Sequence, residues 1–148
     1  MAAVTSWSEV EAEAPELAAL ARGFFDAHRH KTMATLRRDG SPRISGIEVE
    51  FEDGQLLIGS MWKAVKALDL QRDPRFAIHS ASEDPDVWTG DAKVAGTMEE
   101  VDPPEGSESH RFRADITELV VVRHGEPKDH IVVESWHAGQ GVTRRKRY

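Results

Sequence analysis

Apolar residues recur at helical spacing near the start of the chain, where Leu17, Leu20, Ala21 and Phe24 follow the i, i+3, i+4, i+7 pattern. Ser6, with an acid at Glu9, reads as a helix start: the serine caps and the acid lies in the first turn. Pro15 suits the first turn of a second helix or a continuation. This helical segment is expected to lay its stripe on a sheet and to end near His28.

A period of two then takes over. Thr32 to Arg37 alternates, and Arg38-Asp39-Gly40-Ser41-Pro42 is a turn cluster. Arg43 to Phe51 puts Ile47, Val49 and Phe51 on one face and Glu48 and Glu50 on the other, a half-exposed strand. After the turn at Glu52-Asp53-Gly54-Gln55, Leu56 to Ser60 makes a third strand, and the three are expected to form a meander. A short helix over about Lys63 to Gln71 follows, with Ala64, Val65, Ala67 and Leu68 on its apolar face and a stop at Asp73-Pro74. Further strands are expected at Phe76 to Ser80, Ala92 to Val101, Thr117 to Arg123 and His130 to Trp136. Ser107 to Arg113 reads equally as helix or loop. Short, largely antiparallel strands at this spacing suggest a closed barrel.

Composition narrows the class. With 148 residues, 39% apolar and 30% charged, the chain is long enough for one domain with a real core. It has no apolar run that would span a membrane and no signal-peptide pattern, so a cytoplasmic protein is expected. The absence of cysteine excludes disulfides, thiolate metal sites and cysteine nucleophiles. The net charge of −7 argues against nucleic acid as a partner, although the end of the chain, Arg144-Arg145-Lys146-Arg147, is basic. That tail is either a solvated terminus or a phosphate contact.

Candidate chemistry is sparse. The seven histidines show no metal-ligand spacing, so no metal site is expected. Glycine-rich phosphate loops and G-x-S-x-G are also missing, and no residue stands out as catalytic. What remains is a set of polar groups at strand ends: Thr35, Arg43, Ser45, Ser60, Lys63 and Lys66. Lys63 and Lys66, three apart at a helix start, share a face, and free backbone N–H groups there favour an anion.

The order of the pieces resembles the flavin-binding split β-barrels, the pyridoxamine-phosphate-oxidase-like family. The resemblance runs from about Phe24 to Met98. It rests on His30-Lys31-Thr32-Met33-Ala34-Thr35-Leu36, Asp39-Gly40-Ser41-Pro42-Arg43, Gly54-Gln55-Leu56-Leu57-Ile58-Gly59 and, above all, Lys66-Ala67-Leu68-Asp69-Leu70-Gln71-Arg72-Asp73-Pro74-Arg75. It implies a mainly β, α+β fold: a six- to seven-stranded antiparallel split β-barrel with peripheral helices. It also implies a homodimer, a small-molecule substrate, and FMN held in a groove between subunits, with oxidoreductase activity. A deazaflavin coenzyme is the alternative, its acidic tail meeting the basic C-terminus. By the same resemblance, ring contacts fall at Met33, Thr35, Arg43, Ser45 and Gly46, and phosphate contacts at Ser60, Met61, Lys63 and Lys66. Trp88, Lys93 and Trp136 would reach the ring edge or the substrate from the partner subunit. A non-catalytic flavin or haem carrier, with His79 or His137 as haem ligand, is the reading from another class.

Overall fold

The computed structural model describes residues 4–148. Two helices open the chain, α1 (Trp7–Glu13) and α2 (Pro15–Asp26). Ser6 Oγ accepts the Glu9 N–H at 3.3 Å, and Pro15 stands in the first turn of α2, as the sequence predicts. The buried face of α2 is Leu17, Ala18, Ala21 and Phe25, rather than one centred on Leu20 and Phe24. Leu20 is left partly exposed, and Phe24 packs only partly against the core. Trp7, fully buried, meets Phe51 at a ring separation of 4.8 Å and ties α1 to the sheet.

Nine strands follow: β1 (Lys31–Leu36), β2 (Pro42–Ile47), β3 (Val49–Glu52), β4 (Gln55–Met61), β5 (Arg75–His79), β6 (Gly90–Val101), β7 (Ser109–His124), β8 (Ile131–His137) and β9 (Gly141–Arg147). The third helix, α3 (Val65–Arg72), lies between β4 and β5. All pairings are antiparallel, and the main path runs β2-β1-β5-β6-β7-β4-β3. The 16-residue β7 is the branch point: one edge of it pairs with β6 throughout, while along the other edge its first half takes β4 and its second half takes β8. β2 and β3, the two ends of the path, are joined through Glu48 and do not pair, which leaves the sheet open.

Three expectations are corrected. The run Arg43 to Phe51 is two strands, broken at Glu48, and belongs to two hairpins at opposite ends of the path; no meander forms. Alternation fixes which side chains face inward, not which strand is the neighbour. The segment Ser107 to Arg113, undecided between helix and loop, enters the long β7 from Ser109 onward. The basic C-terminus is an edge strand, β9, registered on β8 from Gly141 to Arg147, with every residue exposed. Cations along such an edge discourage further strand addition.

The second hairpin turns through Asp53 (φ 52°) and Gly54 (φ 74°), the positive pair that a tight primed turn requires. At Gly96 the β6–β7 register shifts, and a Cβ there would sit 1.9 Å from the Asp115 carbonyl oxygen, so only glycine fits. The core lies between the inner face of the sheet and α2. It includes Met33, Ile58, Ile78, Ile116, Leu119 and Trp136, all buried.

Candidate functional site

Helix α3 positions most of the polar groups singled out from the sequence. It starts two residues later than expected, because Lys63 (φ 61°) is left-handed and Ala64 is extended (φ −58°, ψ 142°). Lys63 and Lys66 therefore do not share a helical face. Nor does the helix bury the face formed by Val65 and Leu68; both are exposed, and the buried residues are Ala67, Asp69 and Leu70.

On one flank of α3, Gly46 and Ile47 of β2, Gly59, Ser60 and Met61 of β4, and Ala64 and Lys66 line a cleft of about 520 Å³. It lies beside Glu48, where β2 passes into β3. Lys66 reaches across it and donates from Nζ to the Gly46 carbonyl at 2.6 Å. Among the described residues no carboxylate pairs with Lys66, so its charge is left for an occupant. The acid of this lining, Glu48, sits 3.8 Å from His30. The first turn of α3 adds backbone N–H groups that have no partner within the helix.

The other flank carries an ionic network at the wall of a second cleft, of about 530 Å³, that Arg37, Arg38, Arg43 and Arg72 also line. Asp69, 2% exposed, accepts Thr35 Oγ1–H at 2.8 Å and Arg43 Nε–H at 2.7 Å on one oxygen, and Arg72 Nη2–H at 3.0 Å on the other. Burial by itself would raise the Asp69 pKa; hydrogen bonds from Arg43, Thr35 and Arg72 outweigh it and hold the carboxyl below its ordinary value. Arg72 also donates to the Leu36 carbonyl at 2.6 Å, which clamps α3 to β1. Sequence reading missed Asp69. Its partners Thr35 and Arg43 face each other in the β1–β2 register and are equidistant from the Asp39 turn, which is the signal that the sequence did carry.

The remaining expected residues are scattered. Met33 is buried in the core, so only its backbone is available to a ligand. Ser45 has a buried Oγ with no hydrogen-bond partner. The Lys63 side chain is exposed, and it is the Lys63 N–H that is engaged, donating to His110 Nε2 at 3.0 Å. Trp88 donates to Asp91 Oδ2 at 3.0 Å and meets His124 edge-on. Lys93 is exposed on β6, between His79 of β5 and Val120 of β7. Trp136 is completely buried with an unpartnered Nε1, so its ring does not reach a subunit surface as expected. Neither Trp88 nor Lys93 lines the cleft. Among the described residues there is no cluster of three or more His, Asp or Glu able to hold a metal, and no helix long and apolar enough to cross a membrane.

No protein-family model matches this sequence, and no curated protein does. Solved structures are similar. PhzG from Burkholderia lata, in complex with tetrahydrophenazine-1-carboxylic acid, superposes with a TM-score of 0.69 at 10% identity, covering 93% of this chain and 95% of that one. A pyridoxamine 5'-phosphate oxidase-related, FMN-binding protein from Nostoc punctiforme gives 0.63 at 14% identity, covering 88% and 94%. A heme-binding protein from Mycobacterium smegmatis gives 0.62 at 14% identity, covering 89% and 88%. At such identities the likeness speaks for the architecture alone: this chain has the α+β split-barrel fold that FMN-binding and haem-binding proteins also use.

Proposed function

We propose that the protein is a flavin-dependent oxidoreductase that holds FMN, or alternatively a deazaflavin, in the cleft between β2 and β4. The observation that carries this reading is the convergence of Gly46, Ser60, Met61 and Lys66 on one cleft whose lysine has no carboxylate partner. In it, Lys66 and the first-turn N–H groups of α3 hold the phosphate, a charge-assisted contact reinforced by the helix dipole. Gly46 and Gly59 keep the walls free of side chains, so a planar ring can approach the backbone. A bound flavin supplies two-electron transfer to a small-molecule substrate, while the chain supplies orientation and electrostatics.

A cleft this open exposes a planar ring to water on one side, which supports a homodimer. Ile44, Met61, Trp62, Val65 and Leu68 are exposed apolar side chains on β2, the β4–α3 connection and α3, the elements that line the cleft. A second copy of the chain would cover them in a C2 assembly. Lys93 and Trp88 are the residues left to reach across from that copy.

Protein purified natively and then denatured is expected to release FMN or a deazaflavin, identified by absorption, fluorescence and mass; light scattering is expected to give a dimer. Protein that is colourless and binds neither flavin on addition would rule the reading out. Similarity to the M. smegmatis heme-binding protein favours a haem carrier as the second reading. It would draw on His79, now 3.5 Å from Asp91, or His137, 2.9 Å from Glu118. A Soret band without flavin bands would select it.

A further inference from the structure

Lys63 is a non-glycine residue with φ 61° at the point where β4 hands over to α3. The left-handed region is costly for such a residue and persists only where the surroundings hold it. Two contacts hold it here: the turn's own bond, from the Ala64 N–H to the Met61 carbonyl at 3.0 Å, and one buried imidazole. His110 of β7, 4% exposed, accepts the Lys63 N–H on Nε2 at 3.0 Å. An N–H can only donate, so Nε2 carries no proton and the ring is the Nδ1–H tautomer. That proton goes to Glu100 Oε2 of β6 at 2.7 Å. The other Glu100 oxygen accepts Gln71 Nε2–H of α3 at 2.8 Å. Trp62 stacks on the imidazole at 4.7 Å with a 10° interplanar angle and shields it from water. One ring thus joins two strands, the turn and the helix.

We propose that His110 is the positioning residue of the anion seat: it locks the left-handed turn that aims the first turn of α3 and Lys66 into the cleft. The identity of the anion as a flavin phosphate rests on the function proposed above; the geometry does not.

The test compares the parent protein with His110→Phe, which keeps the stacking but neither hydrogen bond, and His110→Gln, which restores an acceptor for Lys63 and a donor for Glu100. Two quantities are measured: amide exchange of Lys63, and the affinity for FMN relative to riboflavin. The Phe variant is expected to lose protection at Lys63 and to bind FMN about tenfold more weakly, with riboflavin little changed. The Gln variant is expected to recover most of both. An unchanged Lys63 amide in the Phe variant, an equal loss of FMN and riboflavin, or a Gln variant no better than Phe would each overturn the proposal. If the parent binds no flavin, the proposed function fails separately. Inorganic phosphate, followed by amide shifts at Val65 and Lys66, then replaces FMN in the same comparison: weakening in Phe with recovery in Gln supports the positioning role, and equal binding in all three overturns it.

Discussion

The two flanks of α3 carry similar charges and opposite chemistry. On the Asp69 flank, two arginines and a threonine converge on one buried carboxylate, which offsets one of the two positive charges where they stand. On the Lys66 flank, a lysine lies over an open cleft with a backbone carbonyl as its acceptor. A buried charge with its full set of partners holds the fold together. A cation that lacks a carboxylate keeps a field that a ligand can use. The family resemblance put Arg43 among the ring contacts and Lys66 among the phosphate contacts; the structure turns Arg43 onto Asp69 and leaves Lys66 over the cleft.

The largest effect should come from cutting the strut. Asp69→Ala leaves Arg43 and Arg72 without their carboxylate and is expected to cost about 3 kcal/mol of stability, the low end for a broken buried pair because both arginines are partly exposed. Urea unfolding measures it, and a loss well under 1 kcal/mol would show that the network does not support the fold.

Lys66→Ala tests the other flank. It should leave stability nearly unchanged and weaken FMN binding about 10- to 100-fold, while riboflavin, which has no phosphate, loses little. Equal losses for the two ligands in a titration would make Lys66 a structural residue and erase the contrast between the flanks.

Acid should act through the Asp69 flank. The carboxyl pKa is lower in the folded protein than in the unfolded chain, so its contribution is complete above the ordinary aspartate value of about 3.9 and is lost as the pH falls through the folded-state value. Unfolding midpoints measured downward from about pH 5 should therefore drop more steeply in the parent than in Asp69→Asn. Parallel curves would contradict the assignment.

The smallest change belongs to Lys63. Only its N–H has a partner, so Lys63→Gly should relieve the left-handed backbone, shift stability by less than about 1 kcal/mol, and leave FMN affinity within about twofold. A larger loss of FMN in equilibrium titration would place the Lys63 ammonium on the phosphate after all.

The sequence determined the local structure. Periodicity placed both N-terminal helices and β1, β4, β5, β6 and β8 to within about two residues, because burial of one face is written into spacing; it ran β2 and β3 together, started β7 at Thr117 instead of Ser109, and left β9 as a tail. The turn at Asp39-Gly40 set the β1–β2 register, and the segment from Gly59 to Arg75 marked the strand–helix–strand seat. What it left undecided are relations between residues far apart in the chain. Ile47 and Val49 sit two residues apart yet belong to different hairpins, since a strand's neighbour depends on how the whole sheet closes. The C-terminal cations became an edge strand because β8 offered a free edge. Asp69 is one residue of the Lys66 to Arg75 segment in the sequence, and its role appears only where β1 and β2 bring Thr35 and Arg43 to it. His110 lay in a segment undecided between helix and loop until the β4–β7 pairing set it under the Lys63 turn. Each of these rests on a hydrogen bond or packing contact whose partner lies tens of residues away, and only the folded chain supplies that distance.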